Sequence, residues 1–433
     1  MLSQAPRLII TTDIGGDPDD TQSLIRLMVY SNEFEIEGLI SSASGTPGEL
    51  GESIVRPDLI REIISSYKQV YPNLLKHSPD YPSPKNLLSL VKSGNPFRGW
   101  DFVGDGHDTE GSEWIVRAVE KRDSRPLNIC IFGGQTDVAQ ALWKIKRYRP
   151  EKEYLDFVSK IRIYDINDQD GIFGRLFTEH PSLFYILAKA PEGVDKREGA
   201  YRGIYLGGDE SLTSMEWIRK NVLEGHGPLG ELYPVKTWTA PNPHGVLKEG
   251  DTPSWFYFLE NGLNIPENPE YGGWGGRFLR NEKGYFTDAV DSVPGVKNAR
   301  ATVFRWRDDF QRDWSARMDR CVVNSDRCNH PPEVSVNNDR GKDLLVISSS
   351  PGKTVDLNAD GTTDPDGNSL RYEYVVYPDT EDLFGNISIK SERSKASVKL
   401  PVGNNGQTIH LLLRVTDDGI PNLTSYKRID IRF

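Results

Sequence analysis

An α/β fold with a mostly parallel sheet flanked by helices, followed by a small all-β sandwich, is the architecture this sequence predicts. Strand-like and helix-like segments alternate over about the first 280 residues, as they do when parallel strands are joined by crossover helices. Four carboxylates, Asp13, Asp17, Asp19 and Asp20, follow the apolar run Arg7-Leu8-Ile9-Ile10, and the C-terminal rim of such a sheet is where ligands bind. After Asn329-His330-Pro331-Pro332 the chain changes to short β-type runs separated by turns, which is an all-β signature.

Taken in order, Arg7 to Ile10 is the first strand. Leu24, Ile25, Met28 and Val29 then recur at helical spacing and mark the buried face of a helix. Asp13 therefore falls at a strand end, Gly15 and Gly16 in a tight loop, and Asp19 and Asp20 in the helix's first turn. Glu35 to Ile40 is a strand running into Ser44-Gly45-Thr46. Ser112 to Lys121 is a helix, Leu127 to Phe132 a strand ending in Gly133-Gly134-Gln135-Thr136-Asp137, and Val138 to Tyr148 a helix. Ile161 to Tyr164 is a strand ending in Asp165-Ile166-Asn167-Asp168-Gln169-Asp170, and Gly203 to Leu206 reads as another strand. The stretch from Pro234 to Arg277 is long, weakly periodic and rich in Pro, Gly and aromatics, and loops of this length are usually functional. One helix, Ala299 to Cys321, should pack Val303, Phe304, Trp306, Phe310 and Trp314 back on the sheet.

The tail's runs, among them Leu344 to Ser348, Arg371 to Tyr377 and Thr408 to Val415, alternate with turns such as Pro365-Asp366-Gly367. They predict an immunoglobulin-like β-sandwich. The expected division is 1–321 for the α/β domain, 322–332 for a linker and 333–433 for a separately folded sandwich. Cys321 and Cys328 flank the start of the linker, where a disulfide and two free thiols are both compatible with the spacing. Cys130 reads as a small buried residue. Asp356-Leu357-Asn358-Ala359-Asp360-Gly361 mimics the start of a calcium loop, but Gly367 stands where that loop needs Glu, so a turn is expected.

A net charge of −11 argues against a nucleic-acid partner. No apolar run approaches the ~18 residues of a membrane span. No signal peptide is visible ahead of the first strand, which leaves a cytosolic protein or a removed leader. Sandwich modules are frequent on extracellular carbohydrate-active proteins, and that analogy favours a secreted or periplasmic location.

Clustered carboxylates repel one another unless a cation or a proton intervenes, and hard oxygen donors favour calcium or magnesium. The competing account is local, with Asp17 as an N-cap, Pro18 as N1 and Asp20 helping to cap. Capping does not explain Asp13 at the strand end.

This acidic run resembles the aspartate signature of the inosine-uridine nucleoside hydrolase superfamily. There an Asp ends the first strand and an Asp-Asp pair opens the first helix; here Asp13 matches the first and Asp19-Asp20 the pair. The longer intervening loop, with its extra Asp17, is closer to a bacterial offshoot, the cellulose-binding proteins with a nucleoside-hydrolase-like domain and a second C-terminal domain. The resemblance runs from Arg7 to about Cys321. It implies a Ca2+ ion held by Asp13, Asp20, Asp251 and the backbone carbonyl of Thr136. It also implies Asp13 as general base and Asp19 as a substrate-binding and catalytic carboxylate. Glu110 resembles a substrate-side position. Asn167, Asp168 and Trp274 are the remaining substrate-side candidates, Trp274 because flanking glycines would let a sugar stack on it. For Thr136 the alternative is a tight Gly-Gly turn with Asp137 as N-cap, and for Asp251 it is a cap of the following helix.

Two departures fall on the substrate side: Gly250 stands where the hydrolases carry a His, and Ser44-Gly45-Thr46 where they offer an Asn. No general acid is evident among His107, His244, Glu249, Asp168 and Asp170. The expected function is calcium-dependent hydrolysis of glycosyl bonds in a carbohydrate. The rival is a non-catalytic polysaccharide-binding protein that keeps the metal site. A homo-oligomer is left open.

Overall fold

The computed structural model describes residues 5–43, 54–236, 246–377, 387–402 and 406–433. Eight strands form the main sheet: β1 (Arg7–Thr12), β2 (Glu35–Ser41), β3 (Val91–Ser93), β4 (Leu127–Ile131), β5 (Ile161–Ile166), β6 (Phe184–Ala188), β7 (Phe278–Arg280) and β8 (Phe286–Asp288). Their order is β3-β2-β1-β4-β5-β6-β8-β7. All neighbouring pairs are parallel except β7 with β8. The order reverses between β1 and β4, and such a switch point opens a crevice beyond the strands' C-terminal ends.

β1 is buried along its whole length, as a strand covered on both faces must be. Leu8 and Ile10 join the cluster formed with helices Asp19–Val29 and Pro57–Leu74. Ile9 faces the opposite cluster, with helices Glu110–Glu120 and Gln135–Tyr148. Each such side chain contributes about 1.5–3 kcal/mol by burial, so register and the position of Asp13 are fixed together.

The structure corrects three elements. Gly203 to Leu206 is not a strand: Ala200–Ile204 is a 3-10 helix, and a Cβ on Gly203 would lie 2.3 Å from the Arg300 carbonyl oxygen. The strand of that region is β6. The expected helix Ala299 to Cys321 is two helices, Ala301–Phe304 and Arg307–Asp319. The Pro234 to Arg277 stretch contains helix Thr252–Phe258, and Trp255 and Trp274 in it are core residues. Its Trp238 and His244 lie outside the described residues, as does Ser44-Gly45-Thr46.

The tail is all-β, with one sheet ordered Leu345–Ser348, Thr424–Arg432, Thr408–Asp417, Leu370–Val376 and another ordered Thr354–Asn358, Lys395–Lys399, Ser388–Glu392. The calcium-loop mimic is strand plus turn: Thr354–Asn358 pairs with Lys395–Lys399, and the Asp356 and Asp360 carboxylates accept from Ser397 and Ser394. Leu411 and Leu413 face the sandwich interior, whereas Leu412 joins the first domain's core with Tyr377 and Tyr426. Asp309 accepts from Arg414 at 2.9 Å and from the Tyr426 hydroxyl, and Arg428 donates to the Leu263 and Gly272 carbonyls. The sandwich therefore shares a core with the α/β domain, where the sequence suggested a separate body leaning on it. Cys321 and Cys328 are both free thiols.

Candidate functional site

Asp13 leaves the end of β1 beside the switch point. Gly133, at the end of β4, comes so close that a Cβ there would lie 2.5 Å from the Asp13 carboxyl carbon. Gly15, at φ +112°, makes the turn that brings the chain back as helix Asp19–Val29. The Thr12 hydroxyl donates to Asp20 in that helix's first turn.

Asp19, Asp20 and Asp251 each present a carboxylate oxygen within 4.8 Å of the others. Capping does not account for them. The residue at the first helix's N-cap position is Pro18, without a side-chain cap bond, and Asp17 pairs with Lys248 instead. Asp251 holds the N-cap position of helix Thr252–Phe258 but likewise makes no cap bond. Its Oδ2 is buried without a hydrogen-bond partner. Among the described residues, no ion pair joins these three carboxylates to a basic side chain.

Burial pushes Asp13 up to about 7, against the lowering pull of Arg98. It pushes Asp19 up to about 6, with Asp17 adding to the rise. Asp20 and Asp251 stand well above the usual carboxylate range, first through burial and then through the neighbouring aspartates. Such a group is satisfied by protons or by a cation. Three carboxylates with an orphaned buried oxygen fit a hard divalent ion and leave positions of its shell to other oxygens, since calcium takes about six to eight.

The group differs from the expected ligand set in holding Asp19 where Asp13 was expected. Asp13 is engaged by Arg98, whose Nη2 donates to it and, at 3.2 Å, to the Ala43 carbonyl; Arg98 Nε lies 4.0 Å from Asp170. Sequence reasoning missed Arg98. It sits in the loop after β3, a three-residue strand with no periodic signal. That loop is docked by Asn95 N on the Asp137 carboxylate at 2.9 Å and by Gly99 N on the Thr136 hydroxyl at 3.0 Å.

Thr136 lies in the first turn of helix Gln135–Tyr148, with its amide and hydroxyl both donating to Asp170, at 2.7 and 2.5 Å. Asp137 is not the N-cap; that position is Gly134. Its carboxylate accepts instead from Ser42 and Thr109. Asp165 is held by Gln135 and Tyr185 at 2.8 and 2.7 Å. Asn167 and Asp168 both have positive φ, and Asp168 accepts from Phe173 N at 2.9 Å and pairs with Lys189. Glu110 starts its helix at the end of β3, accepting from Ser93 N at 3.1 Å.

Trp274 must be corrected as a stacking surface. It is 3% exposed, packs on Phe256 and Phe310, and donates to the Tyr426 hydroxyl at 3.2 Å. Its flanking glycines serve close packing: a Cβ on Gly275 would lie 2.5 Å from the Pro253 carbonyl oxygen and from Tyr257. Glu249 is also structural, paired with Arg26 at 3.0 Å and fully buried. Gly250 sits with Tyr201 and the Asp19 carboxylate around it.

A family model described as the cellulose-binding Sde182, nucleoside hydrolase-like domain matches residues 7–278. A second, for the C-terminal domain of cellulose-binding protein Sde0182, matches residues 354–433. The chain is similar to a solved nucleoside hydrolase-related hypothetical protein from Saccharophagus degradans that is described as associated with carbohydrate metabolism. Identity is 33%, coverage 99% of this chain and 100% of that one, and the TM-score 0.83. An endo-fucoidan hydrolase of glycoside hydrolase family 107 aligns at 10% identity over 98% of this chain and 67% of its own, with a TM-score of 0.19. The protocadherin GammaB4 extracellular domain aligns at 17% over 24% of this chain and 17% of its own, with a TM-score of 0.18. Neither bears on function. No curated protein matches the sequence.

Proposed function

This chain belongs to the cellulose-binding Sde182 family with a nucleoside hydrolase-like domain, and on that premise we propose that it binds a polysaccharide of the cellulose type through a calcium-dependent site at the β1–β4 switch point. The observation that carries this reading is the orphaned, buried Oδ2 of Asp251 beside Asp19 and Asp20. A bound calcium ion would supply contacts to two vicinal sugar hydroxyls. Asp19, Asp20 and Asp251 would hold it, and the oxygen of Asp20 is oriented for this by the Thr12 hydroxyl. A secreted or periplasmic location belongs to the same reading, as the place where such a polysaccharide is met.

Hydrolysis of a glycosyl bond is the second reading, and the position of Asp13 favours it. A carboxylate pushed up to about 7, at the rim of the acidic group, is matched to accept a proton from an attacking water near neutral pH. Against it stands the Arg98 contact on that carboxylate and the lack of a proton donor at Gly250. The test is to incubate the full chain with cellulose in calcium and in chelator, and to analyse the supernatant for released sugars. Calcium-dependent retention without release supports binding; release lost in Asp13→Asn supports hydrolysis. Equal retention in both buffers, with no release, refutes the proposal.

A further inference from the structure

Two histidines meet at the junction between the α/β domain and the sandwich. His77 stands in the turn after helix Pro57–Leu74, and His330 in the segment that leads into the sandwich. Although 253 positions apart in the chain, His77 Nδ1 lies 3.5 Å from His330 Nε2. The other nitrogen of each ring has its role fixed by its partner. His77 Nε2 is 2.8 Å from the Val323 carbonyl oxygen, which only accepts, so Nε2 carries that ring's proton. His330 Nδ1 is 3.1 Å from the Asp366 carboxylate, which assigns the second ring's proton to Nδ1 in the same way. The two neutral rings therefore turn lone pairs toward each other, and neither can satisfy its neighbour. A proton between them is opposed: burial lowers His77 below the ordinary histidine range, with Arg320, His330 and Lys76 adding to the fall against the Val323 carbonyl. Neutral imidazole is the form that binds a metal.

We propose that His77 and His330 form a binding site for a divalent transition metal, zinc in the first place, which joins the end of helix Pro57–Leu74 to the root of the sandwich. Two imidazole nitrogens at zinc-bond length in a tetrahedral shell are about 3.4 Å apart, close to the 3.5 Å found here. The backing partners are those that metal-bound histidines use, a carboxylate behind one ring and a backbone carbonyl behind the other. Both are themselves held. Asn73 Nδ2 donates to the Val323 carbonyl at 2.6 Å, and His330 N donates to Asp366 at 2.6 Å. The neighbouring Asn329 side chain donates to Asp417 and to the Pro421 carbonyl, at 2.9 and 2.8 Å. Among the described residues only the acidic triad brings three such ligands within 4.8 Å of one another, so water completes the shell here. The His330 side chain is 19% exposed, which admits it. Imidazole nitrogens suit zinc and its neighbours, whereas the carboxylate triad suits calcium, so the two sites take different metals.

The test is titration of ZnCl2 into the chelator-stripped full chain in saturating calcium, followed by calorimetry and by thermal melts. The set is wild type, His77→Gln, His330→Gln, Asp366→Asn, Asp251→Asn and Cys328→Ser, each checked for a cooperative transition. Wild type binds one saturable equivalent of zinc and melts higher with it. Asp251→Asn and Cys328→Ser keep both properties. His77→Gln and His330→Gln weaken zinc by about tenfold or more and lose the rise in melting temperature. Asp366→Asn, which leaves both rings in place, weakens it about tenfold through the lost backing carboxylate, and it carries the test should a histidine variant fail to fold. Zinc affinity unchanged in the histidine variants, or in Asp366→Asn where those do not fold, overturns the inference. A loss that follows Asp251→Asn or Cys328→Ser overturns it too, since the metal would then sit elsewhere, and so does an absence of saturable zinc binding in wild type.

Discussion

Replacing Asp251 by Asn should stabilise the metal-free protein and abolish its response to calcium, two effects of opposite sign from one oxygen-to-nitrogen change. At the 4.8 Å bound on oxygen separations in this group, two full charges at an effective dielectric of about 20 repel by ~3.5 kcal/mol. With two fully charged partners, Asp19 and Asp20, the repulsion is at least ~7 kcal/mol by the same arithmetic. Burial and then the neighbouring aspartates raise Asp20 and Asp251 well above the usual range, and bound protons offset much of that repulsion in the metal-free protein. The relief realised is therefore on the order of 1–2 kcal/mol, or a melting temperature higher by about 1–2 °C for a chain of this size. In calcium at ~100 times its Kd the wild type gains ~2.7 kcal/mol by linkage, and the variant gains little. Thermal melts of both proteins, in chelator and in calcium, give all four values. An Asp251→Asn protein that melts lower than wild type in chelator, or rises as far in calcium, refutes the reasoning.

Four further outcomes are expected. Asp13 and Asp19 have folded-state values of about 7 and about 6, above the ordinary 3.8, so the native state binds more protons than the unfolded chain between those values. Stability of the metal-free protein should accordingly fall as pH rises from about 4 to 7, while calcium affinity rises over that window; the opposite slope in chemical denaturation would refute the shifts. Truncation after Asn329 would uncover Trp274 and Trp306, which pack against Tyr426, so the isolated first part should aggregate. Asp309→Ala in the full chain should cost about 1–3 kcal/mol, because the buried Tyr426 hydroxyl loses its acceptor while Arg414 keeps Glu373, and a soluble, cooperatively melting truncation would contradict the shared core. Thiol titration of unreduced, denatured protein should count 3 groups, and a count of one would restore the disulfide.

The sheet, the switch point and the acidic group were legible because they rest on short-range signals: apolar runs with fixed period, and Asp residues directly after one of them. Asp251 was placed by resemblance, and its orphaned oxygen explains why capping was the weaker account. What stayed hidden depends on contacts distant in sequence. Arg98 reaches Asp13 across 85 positions, from a loop that carries no pattern of its own. Trp274 between glycines looked like an exposed platform because nothing local shows that Tyr426 closes over it. One signal was available and unused: Leu411-Leu412-Leu413 is apolar without alternation, as a strand buried on both faces must be, and that run already marks the sandwich sheet as an internal layer.

The most direct test of the account is the calcium stoichiometry of the stripped, full-length chain, measured by calorimetric titration at pH 7.5 or so. The account predicts one saturable equivalent in the wild type and none in Asp251→Asn. No saturable binding in the wild type, with a melting temperature indifferent to calcium and chelator, would contradict it.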